Sequence, residues 1–278
     1  MKEVLFQLKN LCYKYNKDTT GDTVLSSINQ VIHSGEHIAI IGGNGSGKTT
    51  LAKHLNGLLL PCEGSVLVKG MDTREKKNIS VIRQLVGMVF QNPENQIVAG
   101  VVEEDVAFGP ENLGIATGEI KHRVEEALML VGLTQYRQFP PENLSGGEKQ
   151  RLAIAGALAM RPECLVMDEA TSMLDEVGRQ QILGILHRLN RDLGVTLVQI
   201  THNMEEAALA DRVWVLKNGR VILEGPPQKV FKQRSELVEC GLELPDMAEV
   251  AHNLKNAGFT IPEVILSVED MVSYLCRL

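Results

Sequence analysis

A chain of 278 residues is long enough for one large α/β domain and a small appendage, and with 44% hydrophobic but only 4% aromatic residues its core must be largely aliphatic. The formal net charge of −7 argues against a broad nucleic-acid footprint, which needs a basic face, although a phosphate site needs only local donors. No uninterrupted apolar run approaches about 18 residues, so the chain is expected to reach a membrane only through a partner. The opening Met1-Lys2-Glu3-Val4 is strand-like and has no signal-peptide core, and five scattered cysteines without metal or CxxC spacing read as reduced thiols of a cytosolic protein.

From the N-terminus, Phe6, Leu8 and Leu11 alternate with Gln7, Lys9 and Asn10. This predicts a half-exposed antiparallel layer, to which Val66-Leu67-Val68, before Lys69-Gly70, also belongs. His37 to Ile41 is a continuous apolar run that suits a parallel strand covered on both faces, and Leu85 to Phe90, Leu165 to Met167 and Val195 to Ile200 repeat the pattern. Residues from about 92 to 160 hold helical spacings instead, such as Val124, Leu128 and Val131, and predict a helical subdomain inserted between two halves of a sheet domain. Pro140-Pro141 turns the chain toward a helix start at Ser145. Ile182, Leu183, Ile185, Leu186 and Leu189 predict a further helix. Residues 213–223 read as a hairpin closed by Asn218-Gly219. After the break at Gly225-Pro226-Pro227 the tail is mainly helical, with stop signals at Gly241, Gly258 and Pro262.

The chemistry lies at the ends of these runs. Gly42-Gly43-Asn44-Gly45-Ser46-Gly47-Lys48-Thr49 follows a strand and opens a helix that continues through Leu51 and Leu55. Its glycines let backbone N–H groups converge on phosphates at the positive end of that helix. Lys48 adds a point charge for the β- and γ-phosphates, and the Thr49 hydroxyl can ligate Mg²⁺. The nucleotide-holding set is therefore Gly42, Asn44, Gly45, Ser46, Gly47, Lys48, Thr49 and Thr50. Asp168 and Glu169 end a buried strand, Asp168 placed to hold the cation and Glu169 to polarise an attacking water. Read alone, the pair has a solvated strand end as its weaker alternative.

Ser145-Gly146-Gly147 puts bare backbone at a second helix N-terminus. Ser145 alone is an ordinary N-cap, but one chain has no need of two phosphate-facing helix starts unless one of them serves a neighbour's nucleotide. A dimer follows. His202, after the strand ending at Thr201, would look toward the γ-phosphate. Gln91, at the junction with the helical insert, would touch Mg²⁺ or the water. Asp175 is either a helix cap or a contact across a dimer seam, and Tyr13 and Tyr15 are equal candidates to stack on adenine.

Taken in this order, the motifs resemble the ATP-binding cassette (ABC) ATPases, over about three quarters of the chain. The resemblance implies a P-loop NTPase (RecA-like) core with an antiparallel β layer and an inserted helical subdomain. It implies an ATPase domain over 1–228, and the narrower resemblance given below implies a small, mainly helical C-terminal dimerisation domain over 229–278. The ABC resemblance makes Tyr15 the adenine stack, Gln91 the Q-loop glutamine, and Ser145, Gly146 and Gly147 the signature loop acting in trans. Asp168 and Glu169 become Walker B, Asp175 part of the D-loop, and His202 the switch histidine, with Mg²⁺ held by Thr49, Gln91 and Asp168. Met173 stands where alanine is usual and Glu148 where glutamine is commoner; neither removes a ligand.

Val89-Phe90-Gln91-Asn92-Pro93-Glu94-Asn95-Gln96, the stretch from Glu103 to Asn112, and Gly241-Leu242-Glu243-Leu244-Pro245 are similar to the ATPases of energy-coupling-factor transporters, importers of vitamins or nickel and cobalt ions. That similarity implies ATP and Mg²⁺ as ligands and a second ATPase subunit, identical or paralogous. It also implies a transmembrane coupling protein, a membrane-embedded substrate-binding subunit, and a place on the cytoplasmic face of the membrane. The acidic run from Glu103 would form part of the groove that receives the coupling protein. Two other readings stand beside this one: the ATPase of a conventional ABC importer, and a soluble ABC ATPase acting on nucleic acid or ribosomes. The single cassette, the negative charge and the lack of a long coiled coil weigh against the latter.

Overall fold

The continuous apolar runs become strands buried on both faces, because each has a different layer above and below it. The computed structural model describes residues 2–15, 23–262 and 264–276. Four strands, β1 (Val4–Tyr13), β2 (Leu25–His33), β4 (Glu63–Val68) and β5 (Met71–Asp72), form an antiparallel sheet in the order β2-β1-β4-β5. The second sheet runs β10-β9-β3-β8-β7-β6 and uses β3 (His37–Gly42), β6 (Val86–Val89), β7 (Cys164–Asp168), β8 (Thr196–Ile200), β9 (Arg212–Lys217) and β10 (Arg220–Gly225). It is parallel except where β10 pairs with β9.

Helices α1 (Lys48–Leu55) and α2 (Lys76–Leu85) lie along the first half of the chain. The middle holds α3 (Val102–Asn112), α4 (Thr117–Leu130) and α5 (Gly146–Ala159), followed by α6 (Glu176–Arg191) and the short α7 (Met204–Ala208). The tail comprises α8 (Pro227–Phe231), α9 (Arg234–Glu239), α10 (Asp246–Asn256) and α11 (Val268–Leu275).

Alternation along each strand divides the core. On β3, Ile38 and Ile40 face a cluster shared with the antiparallel sheet and α1, while Ala39 and Ile41 face one shared with Met204, Val230 and Phe231. On β7, Cys164 and Val166 join the first cluster, whereas Leu165 and Met167 turn to the helical side with Val106, Leu128 and Ile154. A parallel strand so covered needs apolar residues at every position, which is the pattern its sequence carries.

Three local differences from the sequence reading have physical causes. Leu85 ends α2, and the strand begins at Val86. Leu8 and Leu11, three apart, both face inward because a register shift with Asn10 at φ 47° inserts an extra residue into β1. The acidic start of α3 is not a uniform outward face. Asp105 is buried and accepts from the backbone N–H groups of Val98 (2.7 Å) and Ala99 (3.1 Å), and Glu103 is bonded to Arg137 and Gln138. Glu104 is the member of the run left exposed. The β9–β10 hairpin turns at Asn218 (φ 48°) and Gly219 (φ 72°), and a Cβ on Gly219 would lie 2.3 Å from the Val24 carbonyl oxygen.

Candidate nucleotide site

The second sheet aligns the carboxyl ends of β3, β8, β7 and β6, since Ile40 is in register with Ile200, Ile200 with Asp168, and Met167 with Val89. The loop from Gly42, the turn at His202, the Asp168-Glu169 pair and Gln91 therefore leave the sheet along one edge, where open parallel sheets bind ligands.

Helix α1 starts with no side-chain cap and no acidic residue in its first turn, so its orphan N–H groups and positive end are free to meet an anion. Gly47, its N-cap, has φ 104°, and a Cβ there would come within 2.9 Å of the Val24 carbonyl oxygen and of Leu25. Only glycine fits. The buried Lys48 folds back over the loop, donating from Nζ to the Gly42 (2.8 Å) and Gly43 (3.2 Å) carbonyl oxygens. Burial lowers its pKa, opposed by the nearby Glu169 and Asp168 carboxylates. Ser46 Oγ is buried without a hydrogen-bond partner among the described residues. A cradle with a cation, an orphan hydroxyl and uncapped amides matches the donor-rich shell a polyphosphate requires.

Thr49 donates from Oγ1 to Asp168 Oδ1 at 2.9 Å. Burial raises the Asp168 carboxyl above its ordinary range; the Thr49 bond opposes this and the adjacent Glu169 adds to it. Among the described residues no group of three His, Cys, Asp or Glu side chains could form a metal cage. The donor set suits Mg²⁺ instead, an ion held by few protein oxygens with phosphate and water completing its shell.

Glu169 sits in the left-handed region at φ 53°, held there by its N–H bond to the Ile200 carbonyl oxygen (3.1 Å). Such strain in a non-glycine residue is characteristic of functional turns. Its Oε1 lies 2.6 Å from His202 Nε2. Gln91, read from the sequence as a contact to Mg²⁺ or the water, donates from Nε2 to Ser172 Oγ (3.1 Å), which donates to the Glu169 carbonyl oxygen (2.8 Å). The serine link was missed because nothing in the sequence marks Ser172 as a bridge. Tyr15 is exposed and its hydroxyl lies 3.0 Å from Thr50 Oγ1, while Tyr13 packs edge-on against both Tyr15 and His54.

Residues 25–172 match the ABC transporter family. The chain belongs to the ABC transporter ATPases. It is 52% identical to the energy-coupling factor transporter ATP-binding protein EcfA1 of Caldanaerobacter subterraneus subsp. tengcongensis, over 98% of this chain and 99% of that one. It is 48% identical to the EcfA protein of Methanosarcina acetivorans, over 99% and 98%. Within the family it groups with the ATP-binding proteins of energy-coupling factor transporters. Among solved structures it resembles cbiO1 of Clostridium perfringens, described as part of the ABC transporter complex cbiONQ, with TM-score 0.78 and 36% identity over 91% of this chain and all of that one. It also resembles the cassette MJ0796, in a dimeric post-hydrolysis state bound to ADP and Pi, with TM-score 0.73 and 30% identity over 80% and 99%.

In this ABC cassette Ser145, Gly146, Gly147 and Asp175, expected from the sequence to act across a dimer, line neither cavity beside the cluster just described. Ser145 caps α5 in a reciprocal box: its Oγ accepts from the Glu148 N–H, and the Glu148 carboxylate accepts from the Ser145 N–H (2.8 Å). That bond holds the Glu148 carboxyl below its usual range. Gly147 lies near Gly178 and Leu174. Asp175 caps α6, accepting from the Gly178 N–H at 2.8 Å. Those two cavities measure about 390 Å³, between Gly42, Asn44 and His202, and about 430 Å³, beside Glu169 and His202.

Proposed function

We propose that this chain is one of two cassettes that close around ATP and drive a membrane coupling protein, powering import of a vitamin or a transition-metal ion. It works at the cytoplasmic face of the membrane with a second ATPase subunit, the coupling protein, and a membrane-embedded subunit that selects the cargo.

The observation that carries this is the pairing of two contacts on one sheet edge: Thr49 with Asp168 at 2.9 Å and Glu169 with His202 at 2.6 Å. The glycine loop and Lys48 bind the phosphates, and Tyr15 stacks on the base. Thr49 and Asp168 would hold Mg²⁺, which neutralises charge on the β- and γ-phosphate oxygens when bound. Glu169 orients water for in-line attack and takes up its proton. His202 keeps Glu169 in position and donates to the γ-phosphate oxygens as charge develops there. The Ser145 loop of the other cassette supplies backbone N–H groups to the same phosphate. Gln91, through Ser172, carries the state of Glu169 to the helical subdomain.

The deciding experiment mixes Lys48→Ala and Ser145→Arg protomers. Neither variant alone has an intact site, but a mixed dimer has one, formed by the unaltered Lys48 of one protomer and the unaltered Ser145 of the other. Turnover should reappear on mixing. If it does not, or if strictly monomeric chain hydrolyses ATP at the dimer's rate, the composite site is wrong.

For the coupling protein, a cleft of about 320 Å³ beside the Gln91 loop is lined by Ile97, Gly100, Pro140 and Pro141, with Glu94 and Glu142 at its edge. Exposed Glu104 and Glu142 are the acids to test, because Glu103 is committed to Arg137. Glu104→Lys with Glu142→Lys should weaken co-purification with the coupling protein at moderate salt, and unchanged recovery would count against docking there.

A further inference from the structure

Beneath the Glu169–His202 pair lies a buried carboxylate to which neither the motifs nor the proposed mechanism assigns a role. Glu206, on α7, is 1% exposed, and its Oε2 accepts three hydrogen bonds: from Gln199 Nε2 (2.7 Å), Thr201 Oγ1 (2.7 Å) and Thr171 Oγ1 (3.0 Å). Its Oε1 is buried with no hydrogen-bond partner among the described residues. The three donors come from two stretches of chain. Gln199 is in β8, Thr201 directly precedes His202, and Thr171 lies two residues after Glu169.

The turn that carries His202 is gripped on both flanks. Thr201 Oγ1 accepts from the Asn203 N–H (3.0 Å) while donating to Glu206, and Asn203 accepts from the Glu206 N–H (2.9 Å) as the cap of α7. On the other side, Thr171 belongs to the segment whose next residue, Ser172, bonds the Glu169 carbonyl oxygen. One carboxylate oxygen therefore joins the chain after β7, which holds Glu169, to the chain after β8, which holds His202. Gln199 extends the network to β3, since its Oε1 lies 3.2 Å from His37 Nε2.

We propose that Glu206 is a positioning residue for ATP hydrolysis, a clamp that sets the separation of Glu169 and His202 by holding Thr171 and Thr201 on one oxygen. It touches neither nucleotide nor water. The inference rests on Glu169 and His202 acting together as proposed above. The clamp acts on geometry at the γ-phosphate and leaves the glycine loop and Lys48 alone, so its loss should lower turnover without weakening ATP binding. A misplacement of about 1 Å in a reacting group can cost roughly 10²-fold in rate.

The test compares Thr201→Val, Thr201→Ser, Glu206→Ala, Glu206→Gln and the double Thr201→Val/Glu206→Ala, with Glu169→Gln as reference. It measures kcat and KM for ATP, ATP dissociation by equilibrium titration, and the thermal midpoint. Thr201→Val and Glu206→Ala should each lower kcat about 10- to 100-fold while the ATP dissociation constant moves less than about twofold. Thr201→Ser keeps the donor and should stay near the parental rate, and Glu206→Gln, which keeps an acceptor oxygen, should retain more turnover than Glu206→Ala. The double variant should lose no more than the worse single, because both changes open one network.

Parental kcat in Thr201→Val would overturn the clamp. So would losses that multiply in the double variant, or a fall in kcat that Thr201→Ser shares equally. Should Glu206→Ala fail to fold, the Thr201→Val and Thr201→Ser pair still decides. Parental turnover in Glu169→Gln would instead overturn the hydrolytic pair itself, which separates the two failures.

Discussion

Glu169 combines a left-handed backbone, held by Ile200, with a carboxylate 2.6 Å from His202, so main chain and side chain are fixed by different partners. Glu169→Gln should bind ATP near normally and lose about 10²- to 10⁴-fold in turnover, the range for removing a general base; hydrolysis at the parental rate would remove it from that role. A second prediction concerns stability. Burial lowers the pKa of His37, with Arg191 and His187 adding to the effect and Gln199 and Asp211 opposing it; burial lowers His54 as well, against the Thr50 and Leu60 carbonyl oxygens. Both folded values lie below the ordinary 6.5, so the unfolded chain binds protons first as the pH falls. Their contribution is complete above about 6.5 and is lost progressively below it. Denaturant midpoints should therefore drop between about pH 7.5 and 5.5, and His37→Gln should flatten that slope. Asp168, raised by burial, acts with the opposite sign, so the comparison is cleanest in an Asp168→Asn background. A midpoint independent of pH in that background would contradict the assignment. At this scale the sequence revealed what chemistry pins to a fixed spacing: Lys48 and Thr49 after the glycines, Asp168 and Glu169 at a strand end. It was silent on Glu206, which in the sequence is one more acid in a short helix and gains meaning only from Thr171, 35 residues away.

The same division holds for whole elements. β3, β7 and β8 were legible because burial on both faces forbids polar interruptions, and the β9–β10 hairpin because Asn218-Gly219 has few other uses. The start of α3 was not. Its three acids look equivalent in sequence, and only tertiary partners separate Asp105 and Glu103, turned to Val98 and Arg137, from exposed Glu104. The box at the head of α5 carries its own prediction. Ser145→Ala removes a cap worth about 1 kcal/mol, a modest loss that a thermal midpoint would register, whereas Ser145→Gly should cost only a few tenths while leaving the backbone N–H groups in place. If the loop serves a neighbour's phosphate through its backbone, Ser145→Gly should retain more turnover than Ser145→Arg. Equal inactivation by both would instead place the function in the hydroxyl.

For the whole molecule, the question is how the tail and the cassette share one structure. Val230, Phe231, Leu237 and Leu242 belong to the same apolar cluster as Ala39, Ile41, Val213 and Val215, so the tail's first half completes the core over one face of the parallel sheet. Only Ala251, Ile261, Ile265 and Met271, with partly buried neighbours such as Met247, form a cluster of their own. The backbone of Cys240 passes so near the phosphate loop that a Cβ on Gly43 would lie 3.2 Å from the Cys240 carbonyl oxygen, and the Glu205 carboxylate, beside the His202 turn, accepts from the Asp246 N–H at 3.0 Å. Trimming the protein after Gly225 would thus strip the roof from two central strands and remove a wall of the chamber proposed to receive the triphosphate. Shortening it after Leu244 would keep Val230, Phe231, Leu237 and Leu242 over the sheet and the Cys240 backbone beside the loop, giving up only the Asp246 contact to Glu205 and the flanking Val264 and Leu266, which makes that point, rather than the earlier proline pair, the place to detach the terminal helices and still recover a nucleotide-competent protein.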